Sequence, residues 1–190
     1  MATKKVILAT ARHLDLRGGG AALKKFNKKA VVVENYEKGD VLSDAIRISG
    51  VVRTDINDLK NALTFADLAV IDLGEGDALE TDLIALQDAA NRKTLLVLAA
   101  DNLLAFYGLG IDAKKKTIQR AATAQDVVPT IAYIADLTVP DDCTGAVIYQ
   151  VMKDPGMKAK ELAKLKEAIQ RMEAALQRDN REPWDKHDCA

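Results

Sequence analysis

Aromatic residues, histidine and cysteine are all scarce in this chain. Phe, Trp and Tyr make up 4% of 190 residues, so any core has to be built from Ala, Val, Ile and Leu rather than from stacked rings. Cys143 and Cys189 are the only cysteines, which excludes both a disulfide framework and a paired-cysteine metal knuckle. Two reduced thiols in a cytoplasmic protein are the expectation. A surplus of charge is missing too: 27 basic residues against 28 acidic ones give a net charge of -1. No global field then favours nucleic acid or an anionic membrane, and neither partner is expected. Long hydrophobic runs are also lacking. The lysines and apolar residues of MATKKVILATARH look like a signal peptide only superficially, because the apolar run stops at Arg12 and no other run is long enough to span a bilayer.

What the chain does contain is a series of short apolar runs rich in β-branched residues: KKVILAT (4–10), AVVVEN (30–35), LAVIDL (68–73), KTLLVLA (93–99) and GAVIYQ (145–150). Each has the length of a strand, and the runs are continuous rather than alternating, as a parallel sheet covered on both faces demands. Helical patterns separate them. A short helix is expected over 20–28, Asp40 is placed to cap VLSDAIRIS, Asp55 to cap INDLKNALTF, and Glu80 to Ala90 forms another helix with Leu83, Ile84, Leu86 and Ala90 on or near one face. Strand and helix alternating in this way predict an α/β domain with a doubly wound, mostly parallel sheet and helices on both faces.

That domain is expected to occupy 1–153. A C-terminal amphipathic helix over 154–180 follows, then a flexible tail over 181–190. In the helix, Leu162, Leu165, Ile169, Met172 and Leu176 stand at spacings of 3, 4, 3 and 4, a heptad seam of about two repeats. It either packs on the domain or joins a homodimer or partner protein. Trp184 in the tail either docks or is exposed.

The stretch TAQDVVPTIAYIADLTVPDDCTGAVIYQ (123–150) sets a proline near a helix start. With Asp126 as N-cap, Pro129 occupies the third helical position, where its missing amide hydrogen has no intrahelical partner to lose. This frame is preferred. The rival frame caps at Thr123 with Asp126 completing a capping box, sets Pro129 deeper and predicts a kink. Either way the helix is expected to bury Val128, Ile131, Ile134 and Ala135, stop near Leu137 and return to the sheet at Ala146.

DVVPTIAYIADLTVPDDCTGAVIYQ resembles the C-terminal helix, turn and strand of the alkaline phosphatase superfamily, which includes sulfatases and phosphodiesterases. KTLLVLAADNLLAFYGLGI (93–111) is similar to that family's strand ending in an Asp-His metal pair, and ADLAVIDLGEGDALETDLIALQ (66–87) to the strand and helix before it. The resemblance spans Ala66 to Gln150 and implies an alkaline phosphatase-like core. It also implies two divalent cations held by several Asp and His ligands, with a Ser or Thr nucleophile set against one of them. Residue by residue that machinery thins out. Asp101 falls on the aspartate of the pair, but Asn102 stands where histidine belongs, and a neutral amide is a poor zinc ligand. The first strand runs into Ala11, Arg12 and His13 instead of a ligating aspartate. No histidine lies between residues 14 and 186, and His187 is in the tail. Ser43, Ser49 and Thr54 are the nearby hydroxyls, none with an evident activating base.

Two further constellations stand out. DLGEGDALETD offers Asp72, Glu75, Asp77, Glu80 and Asp82 beyond a strand's carboxyl end, where open α/β sheets bind ligands. Such carboxylates could hold Mg²⁺ or Ca²⁺ weakly, or form a solvated loop that favours a helix N-terminus. Asp101, Asp72 and Asp77 are therefore the candidate metal ligands, with no resident cofactor expected. RHLDLRGGGAALKK places Arg12, His13, Arg17, Gly18, Gly19 and Gly20 between the first strand and a helix, where amides and arginines could receive a phosphate. It matches neither GxGxxG nor a Walker pattern. The functional expectation is a non-catalytic, reduced alkaline phosphatase-like domain serving as a binding or assembly module. The alternatives are a metal-dependent phosphoester hydrolase with an unconventional or partner-completed site, and a binder of a phosphate-containing small molecule.

Overall fold

The continuous apolar runs form the middle of a seven-stranded sheet. A computed structural model describes residues 3–16, 20–73 and 79–179. Along the chain these form β1 (Lys5–Ala11), α1 (Ala21–Lys29), β2 (Val31–Val33), β3 (Tyr36–Glu37), α2 (Val41–Ala45), β4 (Val51–Arg53), α3 (Leu59–Phe65) and β5 (Leu68–Asp72). Then come α4 (Leu79–Ala89), β6 (Thr94–Ala100), β7 (Leu103–Gly108), β8 (Thr117–Ile118), β9 (Ala122–Thr123), α5 (Val127–Ala135) and α6 (Met157–Asp179). The strand order is β4-β5-β1-β6-β7-β2-β8, with β3 and β9 paired separately. Strands β4, β5, β1 and β6 run parallel, β7 is antiparallel to both its neighbours, and β2 and β8 run parallel. The protein is thus α/β, with a mostly parallel central sheet flanked by helices.

Successive side chains along the central strands feed two separate cores, as the two-residue period of a strand requires. Val6 and Leu8, Leu68 and Val70, and Leu95, Val97 and Ala99 face one layer, where they meet Val41 and Ala45 of α2 and Val128, Ile131 and Ile134 around α5. Ile7 and Ala9, Ala69 and Ile71, and Leu96, Leu98 and Ala100 face the other, against Leu23 and Phe26 of α1, Leu59 of α3 and Leu83 and Leu86 of α4. All seven residues of β6 are buried.

Strand β7 departs from the sequence expectation. Ala100 pairs with Leu103, so Asp101 and Asn102 form a two-residue hairpin turn between β6 and β7. Neither takes the positive φ that the favoured hairpin turns need at their first central residue. An external clamp holds the turn instead: the Asn102 side chain donates Nδ2 to the Leu14 carbonyl at 2.8 Å and accepts the Leu14 amide on Oδ1 at 3.0 Å.

GAVIYQ, expected as a strand, is not one. Residues 145–148 run beside α5 without joining the sheet, and 149–151 make a 3-10 turn. Side chains of the helix satisfy the backbone there. The Ala146 amide donates to Asp126 Oδ1 at 2.6 Å, and the Ile148 amide donates to Thr130 Oγ1 at 2.9 Å. Thr130 in turn donates to the Asp126 carbonyl at 2.6 Å. Gly145 has to be glycine, because a Cβ would overlap the Gln125 carbonyl. That carbonyl lies four residues before Pro129, which has no amide hydrogen to offer it.

The start of this helix also differs from the preferred frame. Thr123 and Asp126 form a capping box around a 3-10 turn, Ala124–Asp126, and α5 begins at Val127 with no side-chain cap from Asp126. The Asp126 carboxylate points back to the Thr123 amide, 3.0 Å away, and out to Ala146, so it cannot also serve the turn ahead. Pro129 still falls in the first turn of the α-helix proper. Asp40 does cap α2, accepting the Ser43 amide at 3.0 Å, although α2 ends at Ala45. Asp55 accepts the amides of Asn57 and Asp58 and so initiates the turn that leads into α3.

The chain divides into two compact units, Met1–Lys153 and Asp154–Ala190. The second contains the 23-residue helix α6, with an Arg171–Glu167 ion pair at 3.2 Å and the Lys160 amide bonded to the Gly156 carbonyl. Trp184, His187 and Cys189 lie outside the described residues. No described helix is long and apolar enough to cross a membrane.

Candidate functional site

The carboxyl ends of β1, β5 and β6 lie side by side, because Thr10 pairs with Asp72 on one flank and Ala11 with Ala100 on the other. Open α/β sheets present their ligand clefts at this edge. A cleft of about 180 Å³ is found there, lined by Thr10 to Arg12, Tyr36, Gly39 to Leu42, Asp72, and Ala99 to Asp101. Three sequence candidates, Arg12, Asp72 and Asp101, therefore converge, together with Asp40. His13 is exposed beyond β1 and does not line the cleft. Arg17, Gly18, Gly19 and Asp77 lie outside the described residues.

Each of the two strand-end carboxylates faces a cation of the chain itself. Lys38 Nζ stands 3.4 Å from Asp101 Oδ2, and the Arg53 guanidinium stands 4.0 Å from Asp72 Oδ2. Asp40 is engaged by the Ser43 hydroxyl and amide, and these hydrogen bonds hold its carboxyl below the usual range. Tyr36 is pushed up to about 12, first by burial and then by the negative charge of Asp101. It is therefore a neutral phenol at physiological pH, able to donate a hydrogen bond but not to act as a base.

Among the described residues, the donor set does not suit a pair of tightly held divalent cations. A metal at Asp101 would have to displace the Lys38 ammonium, and both polar groups of the Asn102 amide are committed to Leu14. Among the described residues, no group of three or more His, Cys, Asp or Glu side chains could hold an ion. The hydroxyl candidates are similarly ordinary. Ser43 donates to its own cap residue Asp40, Thr54 Oγ1 donates to the adjacent Asp55 carbonyl at 3.3 Å, and Ser49 is exposed. Among the described residues, no histidine or lysine is hydrogen-bonded to Ser43 or Thr54.

The N-terminus of α1, which follows the glycine-rich sequence, suits an anion in principle, and the protein supplies its own. Glu80 Oε1 accepts the Ala22 amide at 2.7 Å and Oε2 accepts the Leu23 amide at 3.2 Å, so a carboxylate from α4 sits over the N-terminus of α1. Gly20 makes room for it, since a Cβ there would overlap the Glu80 carboxyl group. Charge and dipole are matched internally. An incoming phosphate would compete with that carboxylate for the same amides.

Lys38, Tyr36 and Arg53 are the site residues that sequence reasoning did not single out. Lys38 and Asp101 are 63 positions apart, and no local pattern announces their pairing. No family model, curated protein or solved structure matches this chain.

Proposed function

We propose that this chain is a non-catalytic, reduced relative of the alkaline phosphatase-like fold that works as a binding or assembly module. The observation that carries the reading is the Lys38–Asp101 pair at 3.4 Å beside an Asn102 whose amide is fully engaged. An ammonium group stands against the carboxylate that, by the resemblance, would ligate a cation. It offers a compensating charge but no open coordination position and no Lewis acidity. The Ser43 hydroxyl, whose one carboxylate acceptor Asp40 is held below the usual range and is a poor base, stays protonated and weak without a metal.

The resemblance spans Ala66 to Gln150, and within its 126–150 stretch the polar residues have a structural task. Asp126 and Thr130 fasten the segment that follows the helix. A domain whose 126–150 stretch is fastened by its own side chains, and whose strand-end carboxylates are matched from within, fits a module that presents surfaces to a partner.

The test is a phosphoesterase panel on the purified full-length chain, with p-nitrophenyl phosphate and bis(p-nitrophenyl) phosphate in the presence of Mn²⁺ or Zn²⁺. The expected result is no turnover above the metal-only control. Turnover abolished by Asp101→Ala would overturn the reading in favour of a metal-dependent hydrolase.

A further inference from the structure

A lone helix cannot bury its own apolar stripe. In α6, Leu162, Leu165, Ile169, Met172 and Leu176 are all between 54% and 66% exposed. No other described element belongs to the same unit. Placing Leu162, Ile169 and Leu176 at heptad position a puts Leu165 and Met172 at d, a continuous seam of five apolar positions. The residues flanking this seam then fall at e, Lys166 and Glu173, and at g, Ala168 and Ala175. The outer face carries the Arg171–Glu167 pair.

We infer that the seam is covered by α6 of a second copy of this chain, running antiparallel. In an antiparallel pair e faces e and g faces g across the two-fold axis. Lys166 and Glu173 stand nearly symmetrically about Ile169 and Gln170, so the axis brings Lys166 against Glu173 of the partner subunit and the reverse pair with it. One patch is thereby complementary to itself, the condition for a closed two-fold interface. Leu165 then layers against Leu176 of the partner subunit, and Ile169 against Met172 of the partner subunit. On the other flank Ala168 meets Ala175 of the partner subunit, and two small side chains allow close approach. A parallel pair sets e against g, which matches Lys166 with position 161 but leaves Glu173 opposite Ala168. Position 161 is a glutamate, so a parallel pair also gains an opposite-charge contact at Lys166; only the antiparallel arrangement pairs both charged e positions, Lys166 and Glu173, across one axis. Two heptads are fewer than the three or four of a sustained coiled coil, so the association is concentration-dependent.

The inference is independent of the cleft and is tested on the full-length chain by sedimentation velocity from low to high micromolar concentration. The wild type is expected to pass from monomer to dimer. Lys166→Glu alone sets Glu against Glu, and Glu173→Lys alone sets Lys against Lys, so each variant should need at least tenfold more protein to dimerise. An equimolar mixture of the two variants should form a heterodimer at wild-type concentrations, because every facing pair is again opposite in sign. Both positions are exposed on the helix, and circular dichroism checks that it still forms. A wild type that stays monomeric throughout overturns the inference. Dimerisation unmoved by either variant overturns it in favour of another surface. Weakening by Lys166→Glu only, without rescue on mixing, overturns it in favour of a parallel pair.

Discussion

Asp126 and Asp101 both fall in stretches of sequence that stand out as possible sites, yet the fold uses them in opposite ways. Asp126 is 8% exposed and accepts two backbone amides, from Thr123 and Ala146. The Asp101 side chain is 53% exposed and meets one lysine at 3.4 Å. The first is a structural bolt and the second half of a solvated ion pair. The difference shows that a carboxylate becomes a packing element or half of a solvated ion pair according to what its surroundings offer it: two backbone amides in one case, a single exposed lysine in the other.

The comparison can be broken most forcefully at Asp126. Asp126→Ala removes a charged acceptor from two part-buried backbone hydrogen bonds, at a cost of about 2–3 kcal/mol by urea denaturation. A loss under about 1 kcal/mol would mean that the 145–148 segment is held in some other way. Thr130→Val keeps the shape but removes the hydroxyl that bridges the Asp126 carbonyl and the Ile148 amide, and about 1–3 kcal/mol is expected. Glu80→Ala uncaps α1 and should cost about 1 kcal/mol, the usual value for a lost N-terminal cap. Added inorganic phosphate should recover part of that loss in Glu80→Ala and none in the wild type.

The smallest effect is spectroscopic and sharpens the Asp101 side. Tyr36 holds its proton to about 12, against an ordinary 10.0. Between those values the unfolded chain has released this proton while the folded protein keeps it, so stability falls as pH rises through the window and is unaffected below it. Ultraviolet difference titration should show a late-ionising component that is lost in Tyr36→Phe. In Asp101→Asn it should ionise earlier, since Asp101 is the second cause of the shift, while burial keeps it above 10.0.

Much of the fold was legible in the sequence, and the exceptions have physical reasons. β1, β5 and β6 stood out because strands covered on both faces must be apolar at every position. β7 escapes a sequence reading because Asp101-Asn102 is weighed against the resembled family's Asp-His pair rather than as a turn, and neither residue carries the glycine signature of a tight hairpin. GAVIYQ was mistaken for a strand because a short apolar run looks the same whether its amides meet a neighbouring strand or the side chains of Asp126 and Thr130. The convergence of Arg12, Asp72 and Asp101 followed from strand ends. Their compensation by Arg53 and Lys38 did not, nor did the reach of Glu80 across to Ala22, because such pairings depend on tertiary placement.

The most direct measurement is the metal content of chain purified without chelator and dialysed against Zn²⁺ or Mn²⁺, read by inductively coupled plasma mass spectrometry beside Asp101→Ala and Lys38→Ala. With the strand-end acids matched by the chain's own cations, the wild type should retain well under one ion per chain and Asp101→Ala should be indistinguishable from it. One or two ions retained per chain and lost in Asp101→Ala would contradict the account.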